Sequence, residues 1–193
     1  MLQNLNQKMR AYIIGGVIVV ILLGIFIYEE TKSTAPGTGN ESSKTLAIEG
    51  IAAFKSGDLN LAKELFRQEL AASGASNNQK SIADYNLGTV AVRQQGIAIG
   101  IKDYEKAVAL NPNFALAWLN VGVSQGSLGK SAAALNAYDE LLKLQPTNLE
   151  GLYNSGIILY DTGKKTEGLA RLKVAIEQKP SLAASLPKNI KLN

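Results

Sequence analysis

The sequence predicts an all-α protein, an α-solenoid of about four helix-turn-helix units preceded by a single transmembrane helix. Three observations carry this reading. Ala11 to Tyr28 runs 18 residues without a charge. Beyond it, three residue types recur at one interval: Asn86, Asn120 and Asn154, Gly88, Gly122 and Gly156, and Pro112, Pro146 and Pro180 are each spaced by 34 residues. A fixed period of this length marks stacked supersecondary units, none of which can bury its apolar face alone. Within the units apolar residues fall at helical spacing, as in Leu59, Ala62, Phe66 and Leu70.

As a helix the apolar run would be about 27 Å long, close to the hydrocarbon thickness of a bilayer. Lys8 and Arg10 precede it and Glu29 and Glu30 follow it. By the positive-inside rule residues 1–10 are then cytoplasmic and the rest of the chain extracytoplasmic. Tyr12 and Tyr28 sit at its two ends, where interfacial aromatics are expected. A cleaved leader would need a shorter apolar stretch and a small-x-small site, and Ser33-Thr34-Ala35 is followed by Pro36 well past the run. The expectation is a signal anchor over 11–28, a membrane contact through those residues, and a flexible linker over 29–42, polar and interrupted by Pro36, Gly37 and Gly39.

Composition narrows the chemistry. Of the 193 residues 46% are hydrophobic, 19% charged and 6% aromatic, so the core must be built from Ala, Leu, Ile and Val. There is no Cys and no His, which excludes disulfides, thiol nucleophiles, Cys or His zinc sites and a Ser-His-Asp triad. The net charge of +4 comes without a Lys/Arg block, so the footprint of a nucleic-acid binder is missing. Gly126-Ser127-Leu128-Gly129-Lys130-Ser131 mimics the end of a phosphate-binding loop, but Ser124 stands where that motif needs its first glycine. No paired carboxylates stand out for acid/base work. The reading is a binding module, not an enzyme, with no cofactor, metal, nucleotide or nucleic acid.

The 34-residue units divide the domain 43–182 into repeats 43–76, 81–114, 115–148 and 149–182, with 183–193 as a tail or partial cap. Residues 77–80 stand between the first two as an insertion. Ala115 to Asn148 resembles the tetratricopeptide repeat (TPR): Trp118 at the aromatic position, Val121-Gly122 at the Leu-Gly pair, and Gly129 at the turn. Ala134 and Tyr138 match the second helix, and Pro146 the terminal proline. Leu87-Gly88, Tyr104, Ala107 and Pro112 repeat the pattern, as do Gly156, Gly163, Leu172, Ala175 and Pro180. The first repeat is degenerate, with Gly50, Gly57, Ala62 and Phe66 but Gly74 in place of proline. Proline after a helix stops it, and small residues let paired helices approach. Two departures are expected to weaken the fold. Gly100 and Gly168 replace alanine at about 1 kcal/mol each. Glu69 replaces a small packing residue, so the first repeat is expected to dock less tightly.

The TPR resemblance implies that the first helix of each repeat lines a concave groove. Carried over, the candidate peptide-binding residues are Tyr85, Asn86, Thr89 and Arg93 in the second repeat. Leu116, Leu119, Asn120 and Val123 follow in the third, and Tyr153, Asn154 and Ile157 in the fourth. The three asparagines form a column that either holds a peptide backbone, an amide offering both donors and an acceptor, or serves helix packing. The basic residues of a carboxylate clamp are missing: Tyr85, Leu119 and Glu150 occupy their positions, and a lone Arg93 is not a clamp. An apolar groove suits an extended segment with hydrophobic side chains.

The chain as a whole resembles bacterial inner-membrane proteins with one anchor and a periplasmic TPR domain. That implies a membrane-tethered scaffold or chaperone adaptor binding peptide segments. The alternatives are a cytoplasm-facing assembly or receptor subunit and an accessory subunit of a membrane enzyme complex.

Overall fold

The computed structural model describes residues 11–14, 17–20 and 41–192. They form two short strands, β1 (Ala11–Ile14) and β2 (Val17–Val20), and eight α-helices. In chain order these are α1 (Glu41–Ser56), α2 (Leu59–Ala71), α3 (Asn77–Gln95), α4 (Ile97–Leu110), α5 (Ala115–Ser127), α6 (Ser131–Leu144), α7 (Leu149–Asp161) and α8 (Lys165–Gln178). A turn of 3₁₀ helix, Pro180–Ser185, follows. The described residues divide into two compact units, 41–117 and 118–192, the latter with both strands.

In the unit of residues 41–117, α1 pairs with α2 and α3 with α4. The core of the first pair joins Ala53, Phe54, Ala62 and Phe66 to Leu87 and Val90 of α3. Asp58 starts α2 by accepting a hydrogen bond from the Leu61 amide at 3.0 Å, which satisfies one of the donors a helix leaves open at its N-terminus. The presumed insertion 77–80 is the first turn of α3. Ser76 caps it in a reciprocal box, its hydroxyl accepting from the Gln79 amide at 3.3 Å while the Gln79 side-chain oxygen accepts from the Ser76 amide at 3.0 Å. Ser-x-x-Gln before a helix is the local signal for such a start. The Tyr85 ring packs between Tyr104 and Phe114, with centroids 5.4 and 5.1 Å away.

In the other unit, α6 follows α5 across Gly129 and α8 follows α7 across Gly163. Both glycines hold positive φ, 72° and 93°, a region that costs other residues strain. Gly122 brings α5 against the Tyr138 ring of α6 so closely that a Cβ would lie 2.7 Å from it. Asn148 caps α7 by accepting from the Gly151 amide at 2.9 Å. Arg171 of α8 ties three elements together. One guanidinium nitrogen donates to Ser155 Oγ of α7 at 3.0 Å and the other to Asp139 of α6 at 2.8 Å and Glu167 at 3.1 Å. The tail covers the end of α7: Tyr160 donates to the Asn189 carbonyl at 3.1 Å, Asn189 donates to Asp161 at 3.2 Å, and Ile190 is buried.

The N-terminal segment departs from expectation. Residues 11–14 and 17–20 pair as antiparallel strands in the register Ala11↔Val20, Tyr12↔Val19, Ile13↔Ile18 and Ile14↔Val17, not as one helix. Residues 1–10, 15–16, 21–28 and the expected linker over 29–40 lie outside the described residues; 41–42 already belong to α1. Among the described residues no helix is long and apolar enough to cross a membrane. The expected localisation, a single-pass anchor over 11–28 with a cytoplasmic N-terminus, is therefore corrected. The physical reason lies in what hydropathy measures. An uncharged run does not distinguish helix from strand. This one is dense in Ile and Val, whose β-branches favour a pleated surface, and its sequence is divided by Gly15-Gly16, a pair typical of two-residue hairpin connections.

Candidate functional site

The candidate binding residues sit on the first helices of the repeats. Tyr85, Asn86, Thr89 and Arg93 are on α3, Leu116, Leu119, Asn120 and Val123 on α5, and Tyr153, Asn154 and Ile157 on α7. Burial separates them. Tyr85, Asn86 and Thr89 are fully enclosed, as are Leu119, Asn120, Val123, Tyr153, Asn154 and Ile157. Leu116 is half-buried and Arg93 exposed. The helices themselves are covered on every side. Each residue of α3 from Ser81 to Ala91 is buried, and each residue of α7 from Gly151 to Leu159. With 3.6 residues per turn, such runs sample all directions around the axis.

On α3, Thr89 is occupied internally, donating to the Tyr85 carbonyl at 3.0 Å and lying 3.2 Å from the Tyr104 hydroxyl. Arg93 reaches back to α1. It donates to the Phe54 carbonyl at 3.2 Å and stacks its guanidinium over the Phe54 ring at 5.0 Å, a cation–π contact. Asn86 is the exception. Its side-chain amide is enclosed, with neither the oxygen nor the nitrogen hydrogen-bonded. An unmade hydrogen bond of this kind costs about 1–3 kcal/mol.

On α7, Asn154 lies beside the Tyr138 hydroxyl of α6. Burial pushes that hydroxyl's pKa up, with the Asn154 amide pulling the other way. The Tyr153 hydroxyl is buried without a partner and its pKa is pushed up to about 12 by burial. The asparagines are thus chemically uneven. Asn154 faces a neighbouring repeat, whereas Asn86 has a complete donor and acceptor set unused.

Two buried carboxyls lie outside the candidate peptide-binding residues. Glu69 on α2 and Asp84 on α3 are each 3% exposed, and each has one oxygen without a partner. Desolvation raises Glu69 to about 8. It raises Asp84 to about 6, where Lys106 opposes the shift and Asp103 adds to it. The signal for Glu69 was its place at a small-residue position. Asp84 had none, because a single acid beside Tyr85 looks like any solvated helix residue. Among the described residues no group of three or more His, Cys, Asp or Glu side chains could hold a metal ion.

Repeated helix pairs, each closed by a glycine contact and most followed by proline, define a helical-repeat protein. The chain belongs to the tetratricopeptide repeat family, whose model matches residues 85–125 and 122–183, together just over half of the 193 positions. Among curated proteins it is 26% identical over 117 residues to the peroxisomal targeting signal receptor of Kluyveromyces lactis, covering 61% of this chain and 21% of the receptor. It is 33% identical over 84 residues to the tetratricopeptide repeat domain-containing protein PYG7, chloroplastic, of Arabidopsis thaliana, covering 43% of this chain and 28% of PYG7. The match to photosystem I assembly protein Ycf3 of Acaryochloris marina is 31% over 94 residues, 47% of this chain and 57% of Ycf3. The chain thus spans less than two thirds of each of these relatives. Among solved structures, MamA superposes with a TM-score of 0.62 at 23% identity, over 76% of this chain and 82% of MamA. YrrB, described as a TPR protein with an unusual peptide-binding site, superposes with a TM-score of 0.60 at 22% identity, over 76% of this chain and 74% of YrrB. At these identities the structures share the fold, and that fold suggests a scaffold for protein–protein interaction.

Proposed function

We propose that this chain is a protein-interaction scaffold, not an enzyme, whose first helices hold an extended peptide segment of a partner protein. Asn86 carries the reading. Its amide is enclosed with both hydrogen-bonding atoms unused, so a peptide group that displaces its cover would satisfy both. Tyr85, Thr89 and Arg93 belong to the same helix. Leu116, Leu119, Asn120, Val123, Tyr153, Asn154 and Ile157 are the corresponding positions on α5 and α7. The names of two relatives, a targeting signal receptor and an assembly protein, support a role exercised on other proteins. The partner's segment is apolar and not acidic, because Tyr85, Leu119 and Glu150 stand where a carboxylate clamp needs basic side chains and Arg93 is already engaged with Phe54.

Fluorescence polarisation of the full chain against an array of extended peptides tests this. Apolar peptides are expected to bind, and Asn86→Ala to weaken them by about tenfold, the equivalent of about 1.4 kcal/mol, in a chain that still folds. Failure of every peptide to bind, or equal binding by the folded Asn86→Ala chain, sinks the reading. Micromolar affinity for an acidic chaperone-tail peptide would overturn the exclusion of a clamp.

A further inference from the structure

Helix α7 is packed by three helices and approached by a strand. Gly151 is closed by Leu141 of α6, and Asn154 lies beside Tyr138 of α6. Gly156 is closed by Leu172 and the Gly168 backbone of α8. Ile158 lies 3.6 Å from where a Cβ on Gly126 of α5 would stand, and Tyr153 and Ile157, one turn apart, are buried as well. A strand approaches as well: Cα atoms of β2 come within 8 Å of those of α7. Between Glu150 and Asp161 α7 carries no charge, and β2, Val-Ile-Val-Val, carries none either. An uncharged helix face against an uncharged, β-branched strand is the pairing that burial of apolar surface rewards.

We propose that the face of α7 carrying Tyr153 and Ile157 receives an extended, uncharged, β-branched segment, and that the chain's own β2 (Val17–Val20) is its resident occupant. This rests on the peptide-holding reading above and names its ligand class. It also makes β2 a competitor. An external segment must displace β2, so apparent affinity falls by the fraction of molecules in which the face is open.

The chain has no cysteine or histidine, and a photo-crosslinker, p-benzoylphenylalanine, is placed at Val19 in the full-length protein. Crosslinks to the peptide spanning Leu149–Asp161 are expected, in the same molecule when isotopically heavy and light copies are mixed. Crosslinks only between copies, or none to α7, overturn the assignment. In parallel, a labelled peptide KKVIVVKK is titrated into the unmodified chain and into the variant Val17→Ser, Ile18→Ser, Val19→Ser, Val20→Ser. At least tenfold tighter binding to the variant is expected. Equal binding, or binding to neither, overturns the proposal, and a variant that fails to fold leaves the crosslink as the deciding measurement. The two readings fail separately. Peptides that bind both chains alike keep the scaffold and remove the resident occupant. An intramolecular crosslink with no effect of Asn86→Ala on any peptide keeps the contact and removes the role of Asn86.

Discussion

A Cβ built on Gly100 would stand 2.5 Å from the carbonyl oxygen of Gly88, so α3 and α4 cross backbone against backbone. The last pair does the same, with a Cβ on Gly168 falling 2.6 Å from the Gly156 oxygen. These glycines were expected to be weak points, since each costs its helix about 1 kcal/mol relative to alanine. The packing reverses that expectation: beside the Val92 side chain at Gly100, the obstructing Gly88 and Gly156 oxygens belong to backbone and cannot rotate away.

Gly100→Ala and Gly168→Ala are therefore expected to destabilise the protein. Overpacking costs about 1–3 kcal/mol and outweighs the helix gain, lowering Tm by roughly 2–6 °C for a chain of this size. Gly126→Ala supplies the contrast. Its Cβ would meet Ile158 and Ala134 at 3.6 and 3.8 Å, ordinary contact distances, and a gain of up to about 1 kcal/mol is expected. Thermal melts of the three variants decide the matter. A rise in Tm for Gly100→Ala would show that the crossing has room.

The buried acids give stability a pH slope. Glu69 has its pKa raised from 4.5 to about 8. Between those values the folded carboxyl keeps its proton while the unfolded one has lost it, so the unfolded state binds fewer protons and stability falls as pH rises. The slope is at most about 1.4 kcal/mol per pH unit for one group, and it ends above pH 8. Asp84 adds the same sign between pH 3.8 and about 6, with Lys106 and Asp103 as its charged neighbours. Urea unfolding at pH 5, 7 and 9 is expected to show a falling trend that Glu69→Gln reduces. Parallel curves for the two chains would mean that Glu69 ionises normally in the folded state.

Arg171 joins α8 to both α6 and α7, and its side chain is only 20% exposed. Arg171→Ala is expected to cost about 1–2 kcal/mol, the partly exposed Asp139 keeping the value modest. Arg171→Lys is expected to recover little, because one ammonium lacks the planar fork that reaches Ser155 and Asp139 together. Denaturation in low and high salt checks the split. Salt weakens the Asp139 and Glu167 contacts and leaves the Ser155 hydrogen bond largely unaffected.

Ser76→Ala removes the hydroxyl that accepts from the Gln79 amide at 3.3 Å. A loss of about 1 kcal/mol is expected, with faster hydrogen exchange confined to the first turn of α3. Loss of protection throughout α3 and α4 would show instead that the cap holds the whole pair.

Much of the architecture was legible because repetition amplifies weak local signals. Pro112, Pro146 and Pro180 each fall two residues after the last residue of a helix, Leu110, Leu144 and Gln178. Gly88, Gly122 and Gly156 mark the crossings. The Ser76–Gln79 cap was also local, although it lies where the period reads as an insertion.

The amino-acid sequence by itself determined the helix pairs, their period and the family, because capping, helix termination and apolar spacing act over a few residues and recur. Only the tertiary structure decided that Gly100 and Gly168 are contacts, that Glu69 and Asp84 lose their water, and that Tyr153 and Ile157 are enclosed. It also decided that the apolar residues 11–14 and 17–20 pair as strands. Burial depends on segments far apart in the chain, and hydropathy records how strongly a side chain avoids water, not which neighbour removes it from water.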